Sequence, residues 1–118
     1  MTLESYLERF KNIKGYKAAV IMNVGGEILT QDSIDPNIDL GLLSATFNDL
    51  FRKAHQASDK IGFDPCLEAA ISTNKGMIVM RCSGGKGKDH YHLIAIFSLE
   101  TDQILCQAEL DECFPGHL

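Results

Sequence analysis

Residues 66 to 98 run CLEAAISTNKGMIVMRCSGGKGKDHYHLIAIFS, and the fold turns on whether SGGKGKDH at 83–90 holds a phosphate or joins two strands. A Walker loop needs a glycine, four residues, then Gly-Lys-Ser/Thr, so that backbone N–H groups wrap the phosphates and the hydroxyl binds magnesium. Counting back from Gly87-Lys88 puts Cys82 at the first glycine position and Asp89 at the hydroxyl position. Both positions fail, and a carboxylate at the second repels phosphate. The motif also requires a helix to follow, whereas HYHLIAIFS (90–98) is a strand. CLEAAIST (66–73) and MIVMRCS (77–83) flank Asn74-Lys75-Gly76, which fits a three-residue hairpin loop with glycine in the left-handed position. The glycines of 83–90 therefore serve a turn between apolar strands.

Upstream, KAAVIMN (17–23) and EILTQDS (27–33) are β-rich runs joined by Val24-Gly25-Gly26, a first hairpin. From Asp39 to Ile61, Leu40, Leu43, Phe47, Leu50, Phe51, Ala54 and Ile61 fall on one face at helical spacing. Asn37 or Asp39 suits the cap of this long helix, and Gly62 its end. Leu3, Leu7 and Phe10 mark a short amphipathic helix opened by Thr2 and stopped by Gly15. Between Thr101 and Phe114, Ile104, Cys106, Ala108 and Leu110 alternate like a strand, while Cys106, Leu110, Cys113 and Phe114 fit a helix. We read this segment as a helix. AAVIM, MIVM and LIAIF are apolar at consecutive positions, so both sheet faces are expected to be covered by helices. The expected fold is α+β with α/β/α layers: a five-stranded antiparallel sheet, the long second helix on one face and the shorter terminal helices on the other.

A chain of 118 residues suits one domain, 1–118, and 45% apolar with 23% charged residues excludes disorder and fibrous repeats. No apolar run approaches the ~20 residues of a bilayer span, and MTLESYLERFKNIKG lacks the order of a signal peptide, so a cytoplasmic protein without membrane insertion is expected. The net charge of −5 argues against nucleic acid as a partner. Lys86 and Lys88 form the dense basic spot, an accessory loop. Cys66, Cys82, Cys106 and Cys113 are expected as reduced, mostly buried thiols.

His90, His92 and Cys82 carry metal-ligand chemistry, since His-x-His places two imidazoles on one face of a strand. The spacing matches no common zinc motif, so a surface or strand-edge pair is expected, with no metal or cofactor. With residue 73 paired to 77, Cys66 and Cys82 lie diagonally on one face as small apolar fillers. Ser83, His90 and Glu68 near Cys82 form no nucleophile motif, and no catalytic residue is assigned. On the long helix, opposite the apolar stripe, Leu42, Ala45, Asp49, Arg52 and Gln56 recur at three and four residues. Such a row suits a solvated helix face, while small residues let helices approach closely and arginine is favoured at interfaces, so solvent and a partner both stay open as its use.

The hairpin AAVIMNVGGEIL, the long helix DLGLLSATFNDLFRKAHQASDKIG, and EAAISTNKGMIVMRC followed by HLIAIF resemble the roadblock family, also known from dynein light chains, in its bacterial GTPase-regulator-like form. Profilin-like domains share much of this layout. The resemblance spans nearly the whole chain. It implies a non-enzymatic homodimer, joined through the edge strand 66–73 and the second helix, that scaffolds or regulates a Ras-like small GTPase, and it makes the row Leu42, Ala45, Asp49, Arg52 and Gln56 the expected partner-binding face. The alternatives are a small-molecule sensor with a ligand between sheet and helix, or an enzyme.

Overall fold

A computed structural model describes residues 2–83 and 90–113 of the chain, the side chain of residue 113 excepted. Helix α1 (Leu3–Phe10) leads into β1 (Tyr16–Asn23) and β2 (Ile28–Ser33), then the long α2 (Leu40–Lys60). Strands β3 (Glu68–Thr73), β4 (Gly76–Cys82) and β5 (Tyr91–Phe97) follow, and α3 (Gln103–Cys113) closes the order. All neighbouring strands are antiparallel, in the order β2-β1-β5-β4-β3, so β2 and β3 are the two edges.

Each helix begins where side-chain chemistry starts it. Thr2 Oγ1 accepts from the Ser5 N–H at 3.2 Å, and Asp39 Oδ1 accepts from the Leu42 N–H at 3.0 Å. Both bonds satisfy amides that a helix start leaves without a partner. Asp102 Oδ1 does the same for the amides of Ile104 and Leu105. The segment Gln103–Cys113 is thus a helix, and its buried Cys106 and Leu110 belong to the helical set. Helix α1 stops at Phe10, short of Gly15, because residues 11–14 turn before β1 and Gly15 takes φ +88° beside Thr101.

Consecutive apolar residues in the central strands face two separate cores. On one face, Leu7 and Phe10 of α1 and Cys106 and Leu110 of α3 pack on Ala19, Ile21, Val79, Leu93, Ala95 and Phe97. On the other, Leu43 and Phe51 of α2 pack on Val20, Met22, Met80, Cys82 and Ile94. Period-2 alternation therefore sends half of each apolar run to each helical layer.

Two details differ from the sequence expectation. Thr73 pairs with Gly76 and Ser72 with Met77, so the β3–β4 loop has two residues and the register shifts by one. Gly76 is already in β4, and a Cβ there would meet the Phe97 carbonyl oxygen at 2.1 Å. Glycine is required by the close approach of β5 rather than by the turn alone. The shift puts Glu68 opposite Arg81, on the α1/α3 side of the sheet and away from Cys82.

Arg81 is a buried charge that ties α3 to the sheet. Its Nε donates to Glu68 Oε1 at 2.8 Å, and a second, very short contact joins Nη2 to the same carboxylate. Nη1 donates to Asp111 at 2.8 Å and Nη2 to Gln107 at 2.9 Å. The Arg81→Met variant keeps the stem's packing and frees two carboxylates that water reaches. Its expected cost in urea denaturation is about 1–2 kcal/mol, below the ~3–5 kcal/mol of a stranded buried charge. An unchanged stability would show that the network contributes nothing net.

Candidate functional site: the two faces of the long helix

The outer face of α2 carries every residue expected there. Leu42, Ala45, Asp49, Arg52 and Gln56 are all exposed, and Leu42 retains 66% of its accessible surface. Leu42 also lines a shallow groove with Ile38, Leu43, Thr46 and Phe47 at the start of the helix. The apolar character of this side exceeds the expectation, because Leu50 and Ile61, assigned to the core stripe, are exposed at 43% and 70%. Phe63 at 76% and Leu67 at 48% continue the exposed apolar residues from the helix end to the start of edge strand β3. Isolated exposed leucines are ordinary on a protein surface, whereas Leu42, Leu50, Ile61, Phe63 and Leu67 are five exposed large apolar residues between the start of α2 and the start of β3. Lys86 and Lys88, the accessory basic loop, lie outside the described residues.

The inner face holds polar groups in the places given up by Leu50 and Ile61. Ser44 and Asn48 are buried at 2% and 3%, and half-buried His55 follows about two helical turns after Asn48. Ser44 is satisfied locally, its hydroxyl donating to the Leu40 carbonyl at 2.7 Å. Asn48 reaches across to β5, where its Oδ1 lies 2.9 Å from Nδ1 of His92.

The His-x-His pair is not a surface pair, because β5 is an interior strand between β1 and β4. His92 is 3% exposed and His90 is half-buried at the strand's mouth. His90 Nε2 lies 2.6 Å from Cys82 Sγ, and the His90 and His92 ring centroids are 5.3 Å apart. The His55 and His92 rings are 5.6 Å apart, with Phe51 against both at 4.6 and 5.0 Å. Donor atoms of His55, Cys82 and His92 all fall within 4.8 Å of one another. Three imidazoles and a thiol thus meet between α2, β4 and β5.

Burial of the cluster disfavours protonated imidazole. The pKa of His92 falls to about 4, first through desolvation and then through His90, His55 and Arg52. That of His55 is also lowered, by desolvation and by His90. Both ring nitrogens of His55 and Nε2 of His92 are buried without a hydrogen-bond partner among the described residues. His55 was not singled out from the sequence. Its signal was a histidine on the core side of the helix, about two turns from Asn48 and legible only once the helix was laid against β4 and β5.

The other described thiols, Cys66 and Cys106, are separate from this cluster. Cys66 is half-buried beside the α2 core, with its Sγ 3.0 Å from the Glu68 carbonyl, and Cys106 is buried against the opposite face. Desolvation raises the Cys106 thiol to about 11, with Glu68 adding to the shift and Arg81 opposing it. Ser83 turns its hydroxyl to the Tyr91 N–H at 2.9 Å, a structural bond between β4 and β5. Among the described residues no helix is long and apolar enough to cross a membrane.

No family model and no curated protein matches the sequence. Solved structures do match. MglB of Myxococcus xanthus superposes with a TM-score of 0.80 at 14% identity, over 95% of this chain and 88% of that one. A Roadblock/LC7 domain from Streptomyces avermitilis gives 0.79 at 13% identity, over 97% and 92%. An MglB with a tetrameric arrangement gives 0.80 at 13% identity, over 93% and 80%. At such identities the likeness is one of fold. The chain has the fold of the Roadblock/LC7 domains, in the form seen in MglB.

Proposed function

We propose that the chain is a non-enzymatic homodimeric adaptor that binds a Ras-like small GTPase and regulates or scaffolds it. The observation that carries this reading is the outer face of α2, where Leu42, Ala45, Asp49 and Arg52 recur at three and four residues, all exposed, on the fold that MglB shares. Edge strand β3 continues this surface through Ile61, Phe63 and Leu67, and an unpaired strand edge favours pairing with a second copy. The tetrameric arrangement of one MglB supports self-association as a use of this fold.

An adaptor of this kind acts by differential affinity for its partner's states, holding one switch conformation more tightly than another. Nucleotide and magnesium then belong to the GTPase. Purified chain is expected to capture a small GTPase from the source lysate, with a different yield in the GDP-loaded and GTP-analogue-loaded states. Equal recovery of no GTPase in either state would refute the reading. Calorimetry on the isolated chain is expected to show no submicromolar binding of GTP or ATP, because Cys82 and Asp89 stand where a phosphate loop needs glycine and a hydroxyl.

A further inference from the structure

We propose that Cys82, His55, His90 and His92 form a binding site for one divalent transition-metal ion of borderline softness, zinc foremost, between the inner face of α2 and the sheet.

The donor set is the first argument. A thiolate and imidazole nitrogens suit zinc and its neighbours, whereas magnesium and calcium take oxygen ligands. The donors of His55, Cys82 and His92 already lie within 4.8 Å of one another. Around a tetrahedral zinc, bonds of about 2.1 Å to nitrogen and 2.3 Å to sulfur place ligand atoms about 3.4–3.6 Å apart. The present separations exceed that spacing by no more than about 1.4 Å. His90, at 2.6 Å from the sulfur, must draw back by about 1 Å to become the fourth ligand. Like His55 it is half-buried, and it lies just before the start of β5.

The second argument is the state of the rings. Asn48 Oδ1 accepts a hydrogen bond from His92 Nδ1 at 2.9 Å, which assigns the proton to Nδ1 and leaves Nε2 with a bare lone pair. Nε2 is buried with no partner among the described residues, and so are both nitrogens of His55. Buried nitrogens without hydrogen bonds are costly, and a metal ion would satisfy both rings at once. A histidine held through its second nitrogen by a neighbouring oxygen is the usual arrangement of a metal ligand. Phe51 walls the cluster on one side and excludes water.

The ligands come from three elements, so a bound ion would fix the seating of α2 on β4 and β5. Its charge would be offset by the Cys82 thiolate, which matters because Arg52 adds positive potential at His92. The residues concerned face the core side of α2, and the inference does not depend on any partner of the outer face.

The test is titration of reduced, chelator-stripped, tag-free full chain with Co²⁺, followed by displacement with Zn²⁺. One equivalent of cobalt is expected to produce a thiolate-to-cobalt charge-transfer band with the intense visible bands of tetrahedral coordination, both erased by zinc. Cys82→Ser is expected to abolish the charge-transfer band. His55→Gln is expected to weaken affinity by about tenfold or more. Cys66→Ser, Cys106→Ser and Cys113→Ser are expected to leave the spectrum unchanged. Absence of the band in the unaltered chain, its survival in Cys82→Ser, or its loss in any of the other three serine variants would overturn the proposal. Should Cys82→Ser not fold, His55→Gln decides, and unchanged cobalt affinity in that variant overturns it equally.

Discussion

Ala45→Arg combined with Arg52→Glu is expected to raise the dimer dissociation constant by more than about a hundredfold while leaving the protomer folded. Both side chains are exposed in the chain and point away from the core formed by Leu43, Phe51 and their sheet partners. Exposed substitutions of this kind typically change stability by within about 0.5 kcal/mol. In a desolvated interface a reversed charge and a bulky cation cost several kcal/mol of binding, and each ~1.4 kcal/mol is tenfold in affinity. The two magnitudes separate the outcomes. Sedimentation velocity over a concentration series reports the dimer, and circular dichroism reports the fold. A double variant with wild-type self-association would show that the outer face of α2 is merely solvated, and would move the interface to another surface.

Acidification is expected to destabilise the metal-stripped chain by about 3 kcal/mol between pH 6.5 and about 4. His92 has a folded pKa of about 4, against about 6.5 in an unfolded chain. In that window the unfolded state binds a proton that the native state excludes, so stability rises with pH. The contribution is complete above pH ~6.5, declines as the pH falls, and is constant again below about 4. A difference of roughly 2.5 units at 1.36 kcal/mol each sets the size. His55, lowered in the same direction, adds to the slope. The groups that face His92 are His90, His55, Arg52, Cys82 and Asn48. Urea midpoints of the chain and of His92→Phe, followed from pH 7.5 to 4, check this. The variant should be flatter by the His92 contribution, and parallel curves would contradict the assignment.

Much of this architecture was legible in the sequence because its signals are local. Asp39 caps the long helix, Thr2 the first, and Gly62 follows the end of α2 at φ +80°, each through bonds or dihedrals within a few residues. Unbroken apolar runs in β1, β4 and β5 announced a sheet covered on both faces, since alternate residues must each find a dry layer. The order of these elements also carried the resemblance to roadblock domains.

Tertiary structure alone decided which residues count as core on α2. Periodicity scores apolar residues, so it claimed Leu50 and Ile61, and passed over Ser44, Asn48 and His55. Polar residues become interior only when a partner such as His92 meets them from another element. The register of the β3–β4 hairpin was equally non-local. Its one-residue difference follows from the Phe97 carbonyl pressing on Gly76, a contact between residues far apart in the chain. With that register, Glu68 turned to Arg81, which also holds Asp111, on one face. Cys82 turned the other way, to meet His90, His92 and a histidine from α2. No spacing in the sequence encodes that meeting, because its members are set by the packing of a helix on a sheet.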